Sequence, residues 1–221
     1  MSTDPITRLP VPRGVLFDLD GVVVASGPAH RYGWTTLFAE EGVSFGPDDY
    51  QRIALGKPRE AVIRAILGEL PASEHERLMA RKPVLVEAFI ATHGLQPIPG
   101  TLPFVAALEA RGIPFAIATS SRTPALLLGG AGVLDRFPVR VDRTQVAHGK
   151  PHPDLFLAAA ERIGIAPEAC WVVEDAEVGV AAGLAAGCTV IGLAVDGPDP
   201  SLGRAHAVVS DLSGLRDCLE R

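Results

Sequence analysis

The sequence predicts an α/β protein with a doubly wound parallel sheet and an inserted α-helical domain. Strand-like and helical segments alternate from residue 101 to the C-terminal region, as they do in parallel sheets covered by helices. Near the N-terminus, Val15–Phe17 form an apolar run without polar alternation, which is typical of a strand buried on both faces. Between these regions, residues 27–94 show helical periodicity and no good strand.

The alternating segments after residue 100 can be placed individually. We expect helices over residues 101–111, up to 128, over 153–163, over the glycine-rich stretch that follows residue 175, and near 212–219. We expect strands over residues 113–118, 139–141, 170–173, 190–191 and 208–209.

The helical stretch is expected to be a domain inserted after the first strand. Trp34, Leu37 and Phe38 share one helical face, and similar faces recur around Val62 and Val84. Glycine and proline mark both edges of the stretch, which makes these edges plausible hinges. We therefore predict a discontinuous α/β core of residues 1–26 and 95–221 and a helical insertion of residues 27–94.

Composition indicates an acidic globular protein. The 221 residues carry a formal net charge of −6 and a pI near 5.5, which argues against general nucleic-acid binding and against attraction to anionic membranes. Three widely spaced cysteines support neither a disulfide framework nor a zinc cluster. Residues 1–13 lack an apolar signal-peptide core, and the uncharged stretch 178–195 contains a helix stop at Gly187. We expect a cytoplasmic protein, monomeric or a small homo-oligomer.

Three predicted strands end in polar residues that can form one site. The carboxyl ends of parallel strands meet at one edge of a sheet, so four carboxylates and several hydroxyls should converge there. Four acids close together require a cation, and ligands that are all oxygen favour a hard ion, for which Mg²⁺ is the natural choice beside phosphate. The predicted metal ligands are Asp18, Asp20, Glu174 and Asp175, and the hydroxyls are those of Thr119, Ser120 and Ser121.

Each of these signals also has a simpler interpretation. Asp18-Leu19-Asp20-Gly21 alone fits a solvated turn after a strand, and Glu174-Asp175 alone fits acids at a helix N-terminus. Lys150, one of three lysines, lies in a proline-framed loop that aims its charge, although a solvated loop cation fits the same motif.

Taken together and in order, these motifs resemble the haloacid dehalogenase superfamily, in its branch of Mg²⁺-dependent phosphatases and phosphomutases. The resemblance covers nearly the whole chain. The motifs that carry it are Phe17-Asp18-Leu19-Asp20-Gly21-Val22, Thr119-Ser120-Ser121, Gly149-Lys150-Pro151-His152-Pro153-Asp154 and Glu174-Asp175-Ala176-Glu177-Val178-Gly179.

The resemblance implies a Rossmann-like core and a role for each motif. Asp18 is expected to be the nucleophile and Asp20 the general acid and base. Thr119, with Ser120, is expected to bind phosphate, and Lys150 to act as the charge clamp. Glu174 and Asp175 are expected to hold the metal. The inserted helices correspond to the family's helical cap, in which His30 matches a histidine that assists acid–base positioning.

The chain departs from the β-phosphoglucomutase-like pattern at two places. Ala25-Ser26-Gly27 stands where those members carry Asp-Ser/Thr-Glu, and Leu55 replaces the lysine of their Lys-Gly-x-Ser-Arg motif. Arg59 keeps the arginine of that motif and is a candidate substrate contact, as are Ser121 and Arg122 beside the second motif. Loss of a lysine that would bind a second phosphate group favours hydrolysis of a phosphate monoester over transfer of a phosphoryl group between two positions.

The predicted function is therefore a Mg²⁺-dependent phosphoric monoester hydrolase acting on a small phosphorylated metabolite through an aspartyl-phosphate. A β-phosphoglucomutase-type phosphohexomutase is the alternative within the family. From another class, a phospho-accepting signalling protein without turnover would also combine acids, a threonine and a lysine. Response-regulator receivers, which are signalling proteins of this kind, carry the phosphate-accepting aspartate on a middle strand and lack an inserted cap. The order of motifs in this chain therefore disfavours that class.

Overall fold

The computed structural model describes Ile6 and residues 9–219 in full and the backbone of Glu220. Most of residues 1–8, on which part of the signal-peptide prediction falls, lie outside the described residues. The chain folds into two compact units, one of residues 1–25 and 96–221 and the other of residues 26–95.

The first unit contains a six-stranded parallel sheet in the order β3-β2-β1-β4-β5-β6. This topology confirms the predicted doubly wound α/β core. The strands are β1 Gly14–Phe17, β2 Phe115–Ala118, β3 Arg140–Val141, β4 Cys170–Glu174, β5 Thr189–Leu193 and β6 Ala207–Val209.

Strand β1 lies in the middle of the sheet because its residues are apolar on both faces. Phe17 meets Phe104, Phe115 and Phe137 edge to face at 6.0–6.2 Å, while Leu16 belongs to a separate apolar cluster that includes Phe156 and Val172. Both residues are fully buried. A strand with apolar contacts on both faces has to be covered on both faces, which favours a central position in the sheet. The residue that follows β1 therefore lies in the middle of the row of strand carboxyl ends.

The α-helices of this unit are α5 Thr101–Ala110, α6 Pro124–Gly130, α7 Asp154–Ile163 and α8 Glu177–Ala185, and the chain ends in a 3-10 helix, Ser213–Glu220. They agree with the predicted helices to within a few residues. Strand β2 begins two residues later than predicted, because Ile113 N donates to Leu108 O and so closes α5.

The second unit is entirely helical over its regular elements. It contains α1 Gly27–Glu40, α2 Pro47–Asp49, a π-helical turn Tyr50–Ala54, α3 Arg59–Leu67 and α4 Ala72–His93. Trp34 stacks on Phe38 with ring centroids 5.5 Å apart. These rings belong to a core that also includes Leu37, Val62, Ile63 and Leu85, so the predicted faces of Trp34 and Val62 do meet. The predicted face around Val84 reaches this core only through Leu85, because Val84 is 51% exposed.

A different structural feature favours glycine at each of positions 179, 183 and 187. A Cβ on Gly183 would lie 2.8 Å from Val190 Cγ2, so this glycine allows α8 to pack closely against the sheet. Gly187 ends the α8 region with a φ of +81°, and Gly179 makes room for Glu174, as described below. In the part of the chain that the structure describes, none of the helices has the length and apolar character needed to cross a membrane.

Candidate active site

The central acid of the site follows β1 directly. Asp18 N donates to Val173 O at 3.0 Å, which extends the pairing of β1 with β4 by one residue. Only 10% of its side chain is exposed. Because Phe17 pairs with both Ile117 and Val173, Asp18 stands level with the ends of the two neighbouring strands.

Lys150 brings a positive charge to this acid from a distant part of the chain. Its Nζ donates to Asp18 Oδ1 and, at 2.5 Å, to Glu174 Oε1. The lysine side chain is only 4% exposed and lies over the ring of Phe156, 4.8 Å from its centroid. The solvated-loop interpretation of Lys150 is therefore wrong, because this ammonium is buried between two carboxylates.

Glu174 accepts hydrogen bonds both from Lys150 and from backbone N–H groups just before α8. One carboxylate oxygen accepts from Lys150, and the other accepts from the backbone N–H groups of Asp175 and Ala176 at 3.1 and 3.2 Å. A Cβ on Gly179 would lie 1.8 Å from Glu174 Oε1. Glycine is needed at this helical position because the carboxylate occupies the space of a side chain.

Asp175 reaches the turn that follows β1. A Cβ on Gly21 would lie 1.8 Å from Asp175 Oδ2, and Gly21 has a φ of +79°. Both the close approach and the left-handed backbone require glycine here. Asp18, Glu174 and Asp175 each offer an oxygen, and these three atoms lie within 4.8 Å of one another, so the predicted convergence of these acids is present in the fold.

Negative charge exceeds positive charge in this cluster. Burial, together with the charges of Glu174 and Asp20, raises the pKa of Asp18 from 3.8 to about 8, against the lowering effect of Lys150. Burial and the same neighbouring acids raise the pKa of Asp175 as well. For Lys150, burial acts to lower the pKa, but the charges of Asp18 and Glu174 outweigh it and raise the pKa. Lys150 alone therefore does not hold Asp18 ionised at neutral pH.

The donor set fits a hard divalent cation. Its ligand atoms are carboxylate oxygens, which suit Mg²⁺ better than a softer ion. Burial and the neighbouring negative charges raise the pKa values of Asp18 and Asp175, and a cation beside these two groups would act against both effects. Asp20 is half-buried in the turn after β1, and its charge acts on Asp18.

The hydroxyl motif follows β2 as predicted. Thr119 is fully buried, and its Oγ1 accepts from Ser121 N at 2.9 Å, which leaves the hydroxyl hydrogen available for donation. Ser120 is exposed and Ser121 is half-buried. Arg122 is exposed and lines a cavity of about 620 Å³ with Arg140 and Arg162; the carboxylates of the cluster are not among the described residues that line it.

The two remaining predicted residues belong to the helical unit. Arg59 begins α3, and its guanidinium donates to Met79 O at 2.6 Å. His30, on α1, accepts at Nδ1 from Lys82 Nζ at 2.8 Å. Lys82 is 6% exposed and lies 5.1 Å from the centroid of the Trp34 ring.

Lys82 was not singled out from the sequence. The available signal was its rarity, since the chain has only three lysines. Its position on α4 carries no motif, and its pairing with His30 across 52 residues depends on how two helices pack.

Sequence comparisons identify related proteins over most of the chain. A family model of haloacid dehalogenase-like hydrolases matches residues 12–187. Hexitol phosphatase A of Escherichia coli strain K12 is 34% identical over 206 residues, which cover 92% of this chain and 93% of that protein. Beta-phosphoglucomutase of Bacillus subtilis strain 168 is 32% identical over 212 residues, which cover 92% and 91%.

A structural comparison leads to the same group of proteins. The fold matches a HAD family hydrolase from Deinococcus radiodurans R1, solved with bound phosphate and sodium, at a TM-score of 0.74. The two chains are 34% identical, and the match covers 95% of this chain and 96% of the other.

Proposed function

Since the chain belongs to the haloacid dehalogenase-like hydrolase family, we propose that it is a Mg²⁺-dependent phosphoric monoester hydrolase that works through an aspartyl-phosphate on Asp18. The chain is a haloacid dehalogenase-type enzyme, as are its phosphatase and phosphoglucomutase relatives. The signalling alternative without turnover is therefore set aside. The observation that carries the proposal is the buried contact of Lys150 with both Asp18 and Glu174, next to Asp175.

In the proposed first step, an Asp18 carboxylate oxygen attacks phosphorus and the bond from phosphorus to the leaving oxygen breaks. Asp20 donates its proton to that oxygen as the alcohol departs. In the second step Asp20 takes a proton from water, the water oxygen attacks phosphorus, and the bond to Asp18 breaks. Phosphate is released with both aspartates restored.

Charge stabilisation during both steps is assigned to residues around Asp18. Two N–H groups of Lys150 are used by Asp18 and Glu174, and we assign the third to a phosphoryl oxygen. The Thr119 hydroxyl and Ser120 are assigned to the other oxygens. A bound Mg²⁺, held by the predicted ligands Asp18, Asp20, Glu174 and Asp175, would neutralise charge on the phosphoryl group.

We assign substrate selection to the helical insertion, residues 27–94, acting as the cap domain of a core formed by residues 1–26 and 95–221. The buried Lys82–His30 pair and Arg59 are the candidate selecting groups in it. The substrate class proposed is a small sugar or polyol phosphate, which is supported by the named activity of hexitol phosphatase A over nearly equal chain lengths. We propose that the enzyme acts in the cytoplasm.

A panel of sugar phosphates, polyol phosphates and nucleotides, assayed for phosphate release with Mg²⁺ and with EDTA, tests this assignment. Mg²⁺-dependent release from a polyol or sugar phosphate is expected, with rescue of the EDTA-treated enzyme by added Mg²⁺. Release that EDTA does not affect would contradict the metal assignment.

The relation to beta-phosphoglucomutase keeps phosphohexomutase activity as the second candidate. Conversion of β-glucose 1-phosphate to glucose 6-phosphate, assayed separately, decides between them. Leu55, which is 52% exposed, stands where the mutases have a phosphate-gripping lysine, so we expect phosphate release to exceed isomerisation. Isomerisation faster than release would reverse the order of the two candidates.

A further inference from the structure

A second group of potential metal ligands lies on the loop that carries Lys150. His148, His152 and Asp154 each offer one ligand atom, and these atoms lie within 4.8 Å of one another. His148 Nδ1 is 3.0 Å from Asp154 Oδ2. The two imidazole rings are stacked, with centroids 4.6 Å apart. Two imidazoles and one carboxylate therefore gather within a segment of seven residues.

This group lies on the solvent side of the loop. The His148 side chain is 62% exposed and that of Asp154 is 28% exposed, whereas the Lys150 side chain between them is only 4% exposed. The loop thus directs its lysine toward the buried carboxylates and its histidines toward water. An ion can reach the histidines without entering the carboxylate cluster.

The chemistry of the donors differs from that of the carboxylate cluster. Two imidazole nitrogens and one carboxylate oxygen suit a borderline transition-metal ion such as Zn²⁺, while oxygen-only ligands suit Mg²⁺.

The loop backbone already holds the ligands close to binding geometry. Asp154 Oδ2 accepts from His148 N, and His152 N donates to Gly149 O, both at 3.0 Å. Pro151 and Pro153 restrict the backbone on either side of His152. In a tetrahedral zinc site, ligand atoms 2.0–2.1 Å from the metal are roughly 3.3 Å apart. The His148–Asp154 pair is close to that separation, and the ligand atom of His152 lies within 4.8 Å of both.

We propose that His148, His152 and Asp154 form a binding site for a divalent transition-metal ion, with water completing its coordination. The ligands lie two residues before, two after and four after Lys150, so a bound ion would tie together the two sides of the segment that presents the lysine. The proposal does not rest on the proposed phosphatase function.

Isothermal titration of the folded protein with ZnCl₂, in excess Mg²⁺ to occupy the carboxylate cluster, tests the site. The wild-type chain is expected to bind one Zn²⁺, and the double variant His148→Ala/His152→Ala to bind it roughly 10- to 100-fold more weakly or not at all. His93→Ala, which removes an exposed histidine at the end of α4, is the matched control and should bind as the wild type does.

Two results would overturn the proposal. One is the same Zn²⁺ affinity in the double variant as in the wild type, and the other is a wild-type chain that binds no Zn²⁺ in the titration. Circular dichroism verifies that the variants are folded. If the double variant is not, His152→Gln replaces it, with weaker Zn²⁺ binding expected and unchanged binding counting against the site.

Discussion

Lys150 is the residue on which the charge balance of the site depends. Its ammonium is buried between Asp18 and Glu174, and removal of one partner from a buried ion pair leaves the other charges uncompensated. The lysine is also the proposed clamp for the phosphoryl group. We therefore propose both a structural and a catalytic role for it.

Lys150→Ala should lower kcat by roughly 10²- to 10³-fold and, without Mg²⁺, lower the free energy of unfolding by about 3 kcal/mol. Steady-state kinetics and urea denaturation measure the two effects. Lys57→Ala removes an exposed lysine and should change neither quantity. Equal behaviour of the two variants would show that the buried contact has no such role.

The sequence predicted the residue types of the site but not their protonation. The strand ends that carry Asp18, Thr119 and Glu174 were sufficient to predict that these residues share one sheet edge, and the family resemblance added Lys150 to them. These sequence features were not sufficient to show that Asp18 has a pKa of about 8, because that value depends on burial and on three-dimensional distances to other charges.

At the scale of elements, the beginning of α8 is shaped around Glu174. Gly179 leaves the space that the carboxylate occupies. Because the atom that a new Cβ would meet is the end of a flexible side chain, the glutamate would move rather than the helix. The bonds of Glu174 to Lys150 and to the backbone N–H groups would then be lost.

Gly179→Ala should therefore reduce kcat and, through the same lost hydrogen bonds, also lower the free energy of unfolding. We expect a loss on the order of tenfold or more, since displaced charge-assisted hydrogen bonds contribute about 1.5–3 kcal/mol. Gly129→Ala in α6 is the control, since a Cβ there meets no atom within 4 Å, and it should be neutral or slightly stabilising. Activity of Gly179→Ala equal to that of Gly129→Ala would contradict this description of α8.

Most elements were predictable because their periodicity is local. Strands β1 and β4 are apolar runs bounded by clear turn residues, and each helix of the α/β unit begins or ends near a proline or glycine. The role of Gly179 was not predictable, since only the folded structure shows that the Glu174 carboxylate lies beside this helical position. The Lys82–His30 pair was missed for the same reason.

For the whole molecule, the excess of acids makes stability depend on pH and on the cation. The folded-state pKa of Asp18 lies above its ordinary value, so between about pH 4 and 8 the folded state binds more protons than the unfolded state. Stability from this group is present below that range and is lost as pH rises through it. Mg²⁺ competes with the proton for the Asp18 carboxylate, and its binding restores the stability that is lost as pH rises.

Mg²⁺ should therefore raise the melting temperature more at pH 8 than at pH 6. At 100 times its Kd the ion adds about 2.7 kcal/mol, which corresponds to roughly 5–10 °C for a chain of this size. Differential scanning fluorimetry at both pH values measures the shift. A larger shift at pH 6 would contradict the described charge balance, and Asp175→Asn should reduce the shift at pH 8.

The most direct test of covalent catalysis by Asp18 is the turnover of Asp18→Asn on the best substrate of the panel. The variant keeps the size of the side chain but removes the nucleophilic carboxylate. We predict a fall in kcat on the order of 10³-fold or more, with circular dichroism and melting behaviour that remain those of a folded protein. A folded Asp18→Asn enzyme that releases phosphate at a rate near that of the wild type would contradict the proposed mechanism.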